Sequence, residues 1–598
     1  EVCGGKTIVY DALDNATIYN YNKRIISVEG LLSENDSGQR ETYRIKKFYW
    51  ANNDSKDSTN LIATTLSDKN GKGKGNDGVA WSRAFKYDKK GNVLEEVLYG
   101  NITGDAPETF TVHKKTGVPI SNIECYATRY TYSKDGLNLI TSKITDNGTI
   151  TKYRYKTGTN LLEAELVGTV DDPIQLRTFY SYDKNACMTQ KIVDDGITEY
   201  DSEKPFFKTQ RLVTKIKPYD AVDSKGKAKP SFGFPEVVEE YYCDITTNEL
   251  ILISRVINSY DDNGLLSGSD VYDAEGQFAF RTTKEYDREG RLTSETDALG
   301  RINKIEYDLN DNVIEAHDFK PNSHVITDYD FANRPVLSKI MTTDMTSSRS
   351  TKNRYDYLGN IIAHTDLYGN ETNYEYDEFS RLISTTSPEV LNENSDTIRS
   401  IKRQEYDILD NVTIMINENG DKTETTYNIS NKPISIRYPD GTTEEFRYNL
   451  DGTLRSKKET NDTTIIFTYD FLGRSIHEER LDNNGTIIYS TEKTYNAFNM
   501  VSSTDAEGYR TDYEYDGAGR LIATTQEDTM MHQEVVYDAL GSLESTKEWY
   551  GPEENDYTAS VEVHDLAGRV IERRAEDGND RVLETSLLRY DENDNLLE

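Results

Sequence analysis

Tyr286-Asp287-Arg288-Glu289-Gly290-Arg291-Leu292-Thr293-Ser294-Glu295-Thr296-Asp297-Ala298-Leu299-Gly300-Arg301 reads as turn, strand, turn. An Asp at the first position of a type I turn caps the backbone through its own side chain. The fourth position then takes a left-handed conformation, which suits Gly best and Asn or Asp next. Such a turn closes a hairpin with a bulge. Arg291 to Thr296 and Arg301 to Tyr307, rich in Thr, Ile, Leu and Tyr, fit strands between the turns.

The same pattern recurs in both directions from this stretch. A Tyr followed by Asp or Asn stands at Tyr286, Tyr307, Tyr329, Tyr355, Tyr376, Tyr406, Tyr427, Tyr448, Tyr469, Tyr495, Tyr515, Tyr537 and Tyr590, with His564 in place of one Tyr. The commonest step is about 21 residues. Turns of the form Asp-x-x-Gly follow at Asp287–Gly290, Asp356–Gly359, Asp470–Gly473, Asp516–Gly519 and Asp538–Gly541. Elsewhere the fourth position is Asn333, Asn431, Asn499, Asp311, Asp410 or Asp594, and only Ser380 departs from this short menu. A second turn lies in mid-unit, as at Asp297–Gly300, Asp366–Gly369 and Asp505–Gly508. Each unit is therefore two antiparallel strands and two turns. Extra residues, as in Ser387 to Ser400, fall at the mid-unit turn and so on one edge.

These units predict an all-β chain built as one antiparallel strip. About 14 units make about 28 strands, or about 130 Å of strip at ~4.8 Å per strand. Open twisted sheets rarely exceed about ten strands without curling, so the strip is expected to coil. Residues 1–270 read as a degenerate form of the same array, with Tyr10, Tyr87, Tyr182, Tyr260 and Tyr272 each followed by Asp at irregular spacing. Residues 271–598 form the regular array. Ser67 to Gly78 and Pro218 to Pro235 read as exposed loops.

Composition agrees with a thin wall. The apolar fraction is 35%, yet 42 Tyr at regular spacing argue against disorder. A formal net charge of -36 argues against nucleic acid as a partner and suits either a soluble surface or an acidic wall facing a basic partner. No apolar stretch approaches the ~20 residues of a membrane span. The sequence opens at Glu1 without a signal peptide and reads as a mature form or an excised fragment, whose strand edges would favour association.

No cofactor, metal or catalytic residue is expected. Cys3, Cys125, Cys187 and Cys243 form no C-x-x-C pair and are as consistent with free thiols as with disulfides. His113, His317, His324, His364, His477, His532 and His564 show no metal spacing. Gly71 to Gly75 lacks the Gly-Lys-Ser/Thr end of a phosphate loop. The dense Asp and Asn are turn formers and lack the order of a calcium loop. Carboxylates are plentiful, but nothing singles out a glycosidase pair. The repeat tyrosines read as packing residues, rings along the wall and hydroxyls toward a wet cavity or surface, with an aromatic ladder for sugar or unfolded cargo as the alternative.

Tyr286 to Leu292, Thr296 to Gly300 and Tyr515-Asp516-Gly517-Ala518-Gly519-Arg520-Leu521 resemble the signature of the RHS/YD-repeat family, from about residue 260 to the end and more weakly before it. The resemblance implies a β-strip wound in a spiral into a hollow shell. Bacterial members often enclose a toxic C-terminal domain, as in insecticidal toxin complexes; the animal teneurins use a similar shell in adhesion. It implies a non-catalytic scaffold that is secreted or on the bacterial surface. Its partners would be the rest of the same polypeptide, including further repeats, a core segment and a C-terminal toxin or effector, and other toxin-complex subunits. The alternative is a surface protein that recognises a glycan or receptor. The family's core segment, which in many members cleaves the chain, has no counterpart before Glu598.

Overall fold

The computed structural model describes residues 5–22, 24–34, 38–51, 60–68, 78–170, 176–196, 209–220, 222, 227–317, 323–342, 348–391, 397–527, 531–549, 551, 553, 555–591 and 594–597. Cys3, Gly71 to Gly75 and parts of the loops Ser67 to Gly78, Pro218 to Pro235 and Ser387 to Ser400 lie outside them. Among the described residues there is no helix, and hence none long and apolar enough to cross a membrane. Forty-four strands form one long antiparallel sheet. Two small ribbons stand apart, Gly78–Val79 with Phe110–Thr111 and Val390–Leu391 with Thr397–Ile398.

Pairing runs between neighbours in sequence. Strand Ile302–Tyr307 pairs on one side with Leu292–Thr296 and on the other with Val313–His317. Strand Leu266–Tyr272 crosses residue 270 and pairs with both Leu250–Tyr260 and Phe278–Tyr286. A bulge interrupts the register just before the repeat residue, as between Glu306 and Tyr307, Glu375 and Tyr376, and Val563 and His564. The earlier tyrosines Tyr87, Tyr132, Tyr182 and Tyr260 carry the same bulge.

The regular turns are closed twice by the backbone. Gly290 N donates to Asp287 O at 3.2 Å, and Asp287 N to Arg291 O at 3.0 Å. The mid-unit turn at Asp297 repeats both bonds at 3.0 Å. The fourth residue is left-handed, with φ of 85° at Gly290, 67° at Asp311 and 60° at Asn333. Ser380 adopts it too, at 59°, so backbone geometry overrides the residue menu there. Asn499 does not: its unit is a residue shorter, and Asn496 N bonds Asn499 O instead of a residue four positions on. The expectation that Asn499 occupies the left-handed position is corrected on that ground.

The chain divides into two compact units. One comprises Glu1–Ile150, Arg334–Leu337 and Ser350–Ser490; the other comprises Thr151–Asn333, Ser338–Arg349 and Thr491–Glu598. The first holds two apolar clusters, Ala16, Ile18 and Leu31, and Val79, Phe110 and Val112. The second holds Ala164, Phe179, Ile192 and Val213. In the regular array the buried mid-strand positions carry small residues: Ala363 and Ser384 in the first unit, Ser502 and Ala523 in the second. A side chain that small lets the wall stay thin.

Beside the Phe179 cluster, the second unit buries an ion triad. Asp194, 0% exposed, accepts Arg177 Nε at 2.7 Å and Arg211 Nη2 at 2.9 Å, and its Oδ1 also accepts Gly196 N at 3.1 Å. Removing one member of a buried ionic group strands the others in a poor dielectric. Asp194→Ala is therefore expected to destabilise the unit by about 3 kcal/mol or more. Chemical denaturation followed by circular dichroism checks this; an unchanged midpoint would show the triad to be neutral.

Candidate functional site

The Tyr-Asp turns singled out in sequence lie on one edge of the strip, where each strand enters its bulged turn, and the mid-unit turn of Asp297 and Gly300 lies on the other. Asp287 Oδ1 accepts Glu289 N and Arg291 N at 3.0 and 2.9 Å, and Oδ2 accepts Arg291 Nε at 2.7 Å. The same two backbone bonds form at Asp297, Asp356, Asp470, Asp516 and Asp538. Gly290, Gly300, Gly359, Gly473, Gly519 and Gly541 all have positive φ, from 77° to 96°.

Most of the repeat-tyrosine hydroxyls are taken up by the sheet itself, donating to a backbone carbonyl of the preceding strand. Tyr286, Tyr307, Tyr329, Tyr355 and Tyr376 donate to Leu266, Leu292, Val313, Pro335 and Ile361. Tyr406, Tyr537 and Tyr590 donate to Leu382, Leu521 and Val570. Tyr469 has the equivalent bond to Leu454, and Tyr515 ends its strand half-buried. The acceptor is the sixth residue after the previous repeat Tyr, or after His564. There is a reason for that position. The ladder between Leu292–Thr296 and Ile302–Tyr307 ends at the pair Ser294–Lys304, so the strands part before Leu292. The Tyr307 ring fills the opening and its hydroxyl satisfies the Leu292 carbonyl at 2.9 Å. The ladder ends in the same way at Ala363–Asn373, next to Ile361 and Tyr376.

Sequence reading missed the third partner, the Arg after the turn glycine. Arg291 Nη1 reaches forward to Asp308 O at 3.0 Å and Asp311 at 2.7 Å, and its guanidinium lies 4.7 Å above the Tyr307 ring. Arg381 and Arg569 stack in the same way on Tyr406 and Tyr590, and Arg520 on Tyr537. Where Asn replaces Arg, it bridges instead: Asn411 Nδ2 donates to Asp407 Oδ2 and to Asn431 Oδ1. The signal was present as Asp-x-x-Gly-Arg.

Within each unit these turns also meet strands and loops far away in sequence. In the first, Arg44 pairs with Asp410 at 2.8 Å, Ile429 N donates to Asn101 O and Tyr448 N to Thr103 O. Asn428, 1% exposed, donates to Ile102 O at 2.6 Å. In the second, Ala274 N donates to Ala539 O, and Arg301 pairs with Asp594 at 2.8 Å. A cavity of about 500 Å³ lies along the first seam, lined by Tyr43, Glu41, Glu108 and Asp407 among others. Both Asp407 oxygens are engaged in its own turn, by Leu409 N, Asn411 N and Asn411 Nδ2.

Cys125, Cys187 and Cys243 are free thiols. His113, His364 and His532 bond Thr116, Asn353 and Thr525 respectively, and His477 and His564 lie beside Glu479 and Glu562. His317 and His324, seven apart in sequence, are brought together on one hairpin.

The turn carboxyls are tuned by these contacts. The Asn312 amide and backbone N–H hold Asp308 below the usual carboxylate range, and Asn370 does the same to Asp366. Desolvation pushes Asp287 up, but the bonds from Arg291 outweigh it and leave the carboxyl lowered. A lowered folded value means that ionisation favours folding above the ordinary carboxyl pKa of about 4, and that this support is lost as pH falls through the folded values. Thermal stability in about 1 M salt, which screens the excess negative charge, is expected to hold from neutral pH to about 5 and to fall below 4. A melting temperature that rises on acidification would contradict this. At the tyrosine, Tyr376→Phe keeps the ring and strands the Ile361 carbonyl. A loss of about 1 kcal/mol in a denaturant titration is expected, against none for the exposed Tyr357→Phe.

The RHS repeat family model matches residues 260–302 and 495–529. No curated protein matches the chain in sequence. Among solved structures it is similar to a chain of the TcdB2-TccC3-TEV crystal structure, with 13% identity, a TM-score of 0.60, and 98% of this chain against 39% of that one covered. A chain of the Photorhabdus luminescens Tc holotoxin pore carrying a TccC3 mutation gives 14% identity, a TM-score of 0.48, and 97% and 27% coverage. This chain carries RHS repeats and has the all-β fold seen in the TcdB2-TccC3 chain.

Proposed function

We propose that the chain is a wall segment of an RHS-type shell that encloses and helps deliver a C-terminal toxin or effector domain. The observation that carries this is the double fastening of the turn edge. Along the strip, Arg, Asp and Tyr tie each repeat to the next; within each compact unit, contacts such as that of strand residue Arg44 with turn residue Asp410 tie one stretch of strip to another. A sheet fastened at its faces and edges in this way is suited to act as a wall. Residues 1–270 and 271–598 continue one array on this reading, the first with longer loops. The wall itself does no chemistry. Its partners are the rest of the polypeptide and companion toxin-complex subunits, and its place is outside the bacterial cytoplasm. The likeness to the TcdB2-TccC3 chain, of which this chain covers 39%, supports the architecture.

A recognition role is the second reading. Turn tips carry bare apolar side chains: Leu309 and Phe331 in the second unit are 103% and 96% exposed, and Tyr357 in the first is 84% exposed. Such tips suit contact with a glycan or a receptor protein. The parent protein, purified natively and examined by denaturing gel, mass spectrometry and electron microscopy, separates the two. A hollow particle retaining a released C-terminal fragment is the expected result. A solid particle with a single uncut chain would overturn the shell reading and favour recognition.

A further inference from the structure

In four repeats of the regular array, the strand that follows the turn carries two small or hydroxylated side chains on one face. They are Ser294 and Thr296, Ala363 and Thr365, Ser384 and Thr386, and Ala523 and Thr525, eight and ten residues after the repeat Tyr. The unit of Tyr307 departs from this, with Glu315 and His317 at those positions. The next strand, Ser323–Tyr329, places His324 directly opposite His317. Residues two apart on a strand share a face, and directly opposed residues share it across the ladder. Backbone register alone therefore puts Glu315, His317 and His324 together.

The side chains meet as that register requires. Glu315 Oε1 lies 3.1 Å from His317 Nε2 and 3.6 Å from His324 Nε2. One ligand atom from each residue falls within 4.8 Å of the others, and the two imidazoles stack with centroids 4.8 Å apart. Ligand atoms around a tetrahedral zinc ion, at bonds of about 2.0–2.1 Å, stand about 3.3 Å apart. The two carboxylate–imidazole separations bracket that spacing. His324 is only 11% exposed, while Glu315 and His317 open to solvent at 29% and 44%, which leaves an approach for an ion and its water. Glu306, the ladder partner of Glu315, adds a second carboxylate on the same face, and Lys304 stands opposite His317. Two carboxylates directly opposed repel unless a cation sits near them.

We propose that Glu315, His317 and His324 form a binding site for a divalent transition-metal ion, zinc first. Two imidazoles and a carboxylate are the donor set that such an ion takes, with its remaining position left to water or to Glu306. The ion clips the strand Val313–His317 to the strand Ser323–Tyr329 where the repeats of Tyr286, Tyr355, Tyr376 and Tyr515 have a Thr.

The test is calorimetric titration of the whole chain with zinc chloride after chelator treatment. His317→Gln, His324→Gln and the control His364→Gln are titrated in parallel, and melting in chelator confirms that each variant is folded. Saturable uptake of one ion per chain is expected, weakened about tenfold or more by either His317→Gln or His324→Gln and unchanged by His364→Gln. Cobalt added to the unaltered chain gives a second readout that needs no variant: the intense visible bands of a low-coordinate imidazole site. Zinc uptake that survives both substitutions, no saturable uptake up to about 1 mM zinc, or a pale aquo-cobalt spectrum would each overturn the site and leave a hydrogen-bonded histidine pair.

Discussion

A carbonyl left behind where two strands part is the constraint on which the strip depends. Every bulged turn bends its strand away from the neighbour, so the ladder between Leu292–Thr296 and Ile302–Tyr307 closes at Ser294 and goes no further. Left bare, the Leu292 carbonyl would cost about as much as the hydrogen bond it lacks. Tyr fits this gap: its ring fills the wedge, and its hydroxyl ends where the acceptor is. Phe would fill the space and leave the carbonyl unmet. A shorter hydroxyl such as Ser would not span the opening.

Once that corner is satisfied, the wall has little need of a core. Fully buried large side chains are few among the described residues, and in the regular array most buried positions carry Ala or Ser. Stability comes from the backbone ladder, from half-buried rings and from charge-assisted bonds at the turns. This is how 35% apolar composition supports an ordered sheet of 44 strands. The charge excess is distributed in the same economy. Many of the acidic side chains are the turn aspartates, each occupied by two backbone N–H groups, as at Asp287 and Asp308.

The sequence made the turns legible because a left-handed residue every unit restricts the alphabet so sharply: Gly290, Asp311 and Asn333 announce the same backbone in three spellings. It revealed the strands between them for the same reason. The destination of the tyrosine hydroxyl was not legible, since the acceptor is a backbone atom and any residue type can supply it; Leu, Val, Ile and Pro all do. Arg291 was visible in the motif, but its reach to Asp311 depends on two turns lying side by side, which periodicity alone does not fix. Asn499 misled because composition matched while the loop was one residue short. His317 and His324 were separated by seven positions and met only through hairpin register. Contacts such as Arg44 with Asp410, 366 residues apart, lie beyond any local pattern.

Neighbour-only pairing gives the sheet a direction in its response to force. A load applied at one end of the strip acts on one ladder and one tyrosine at a time, together with a cross-strip pair where one is present, as at Arg301 and Asp594, so strands peel off hairpin by hairpin. A load applied along the strands must shear a whole ladder at once, with the hydroxyl and guanidinium bonds of the turn edge resisting in parallel. The material is thus weak to unravelling and stiff to stretching across its width, like a woven tape.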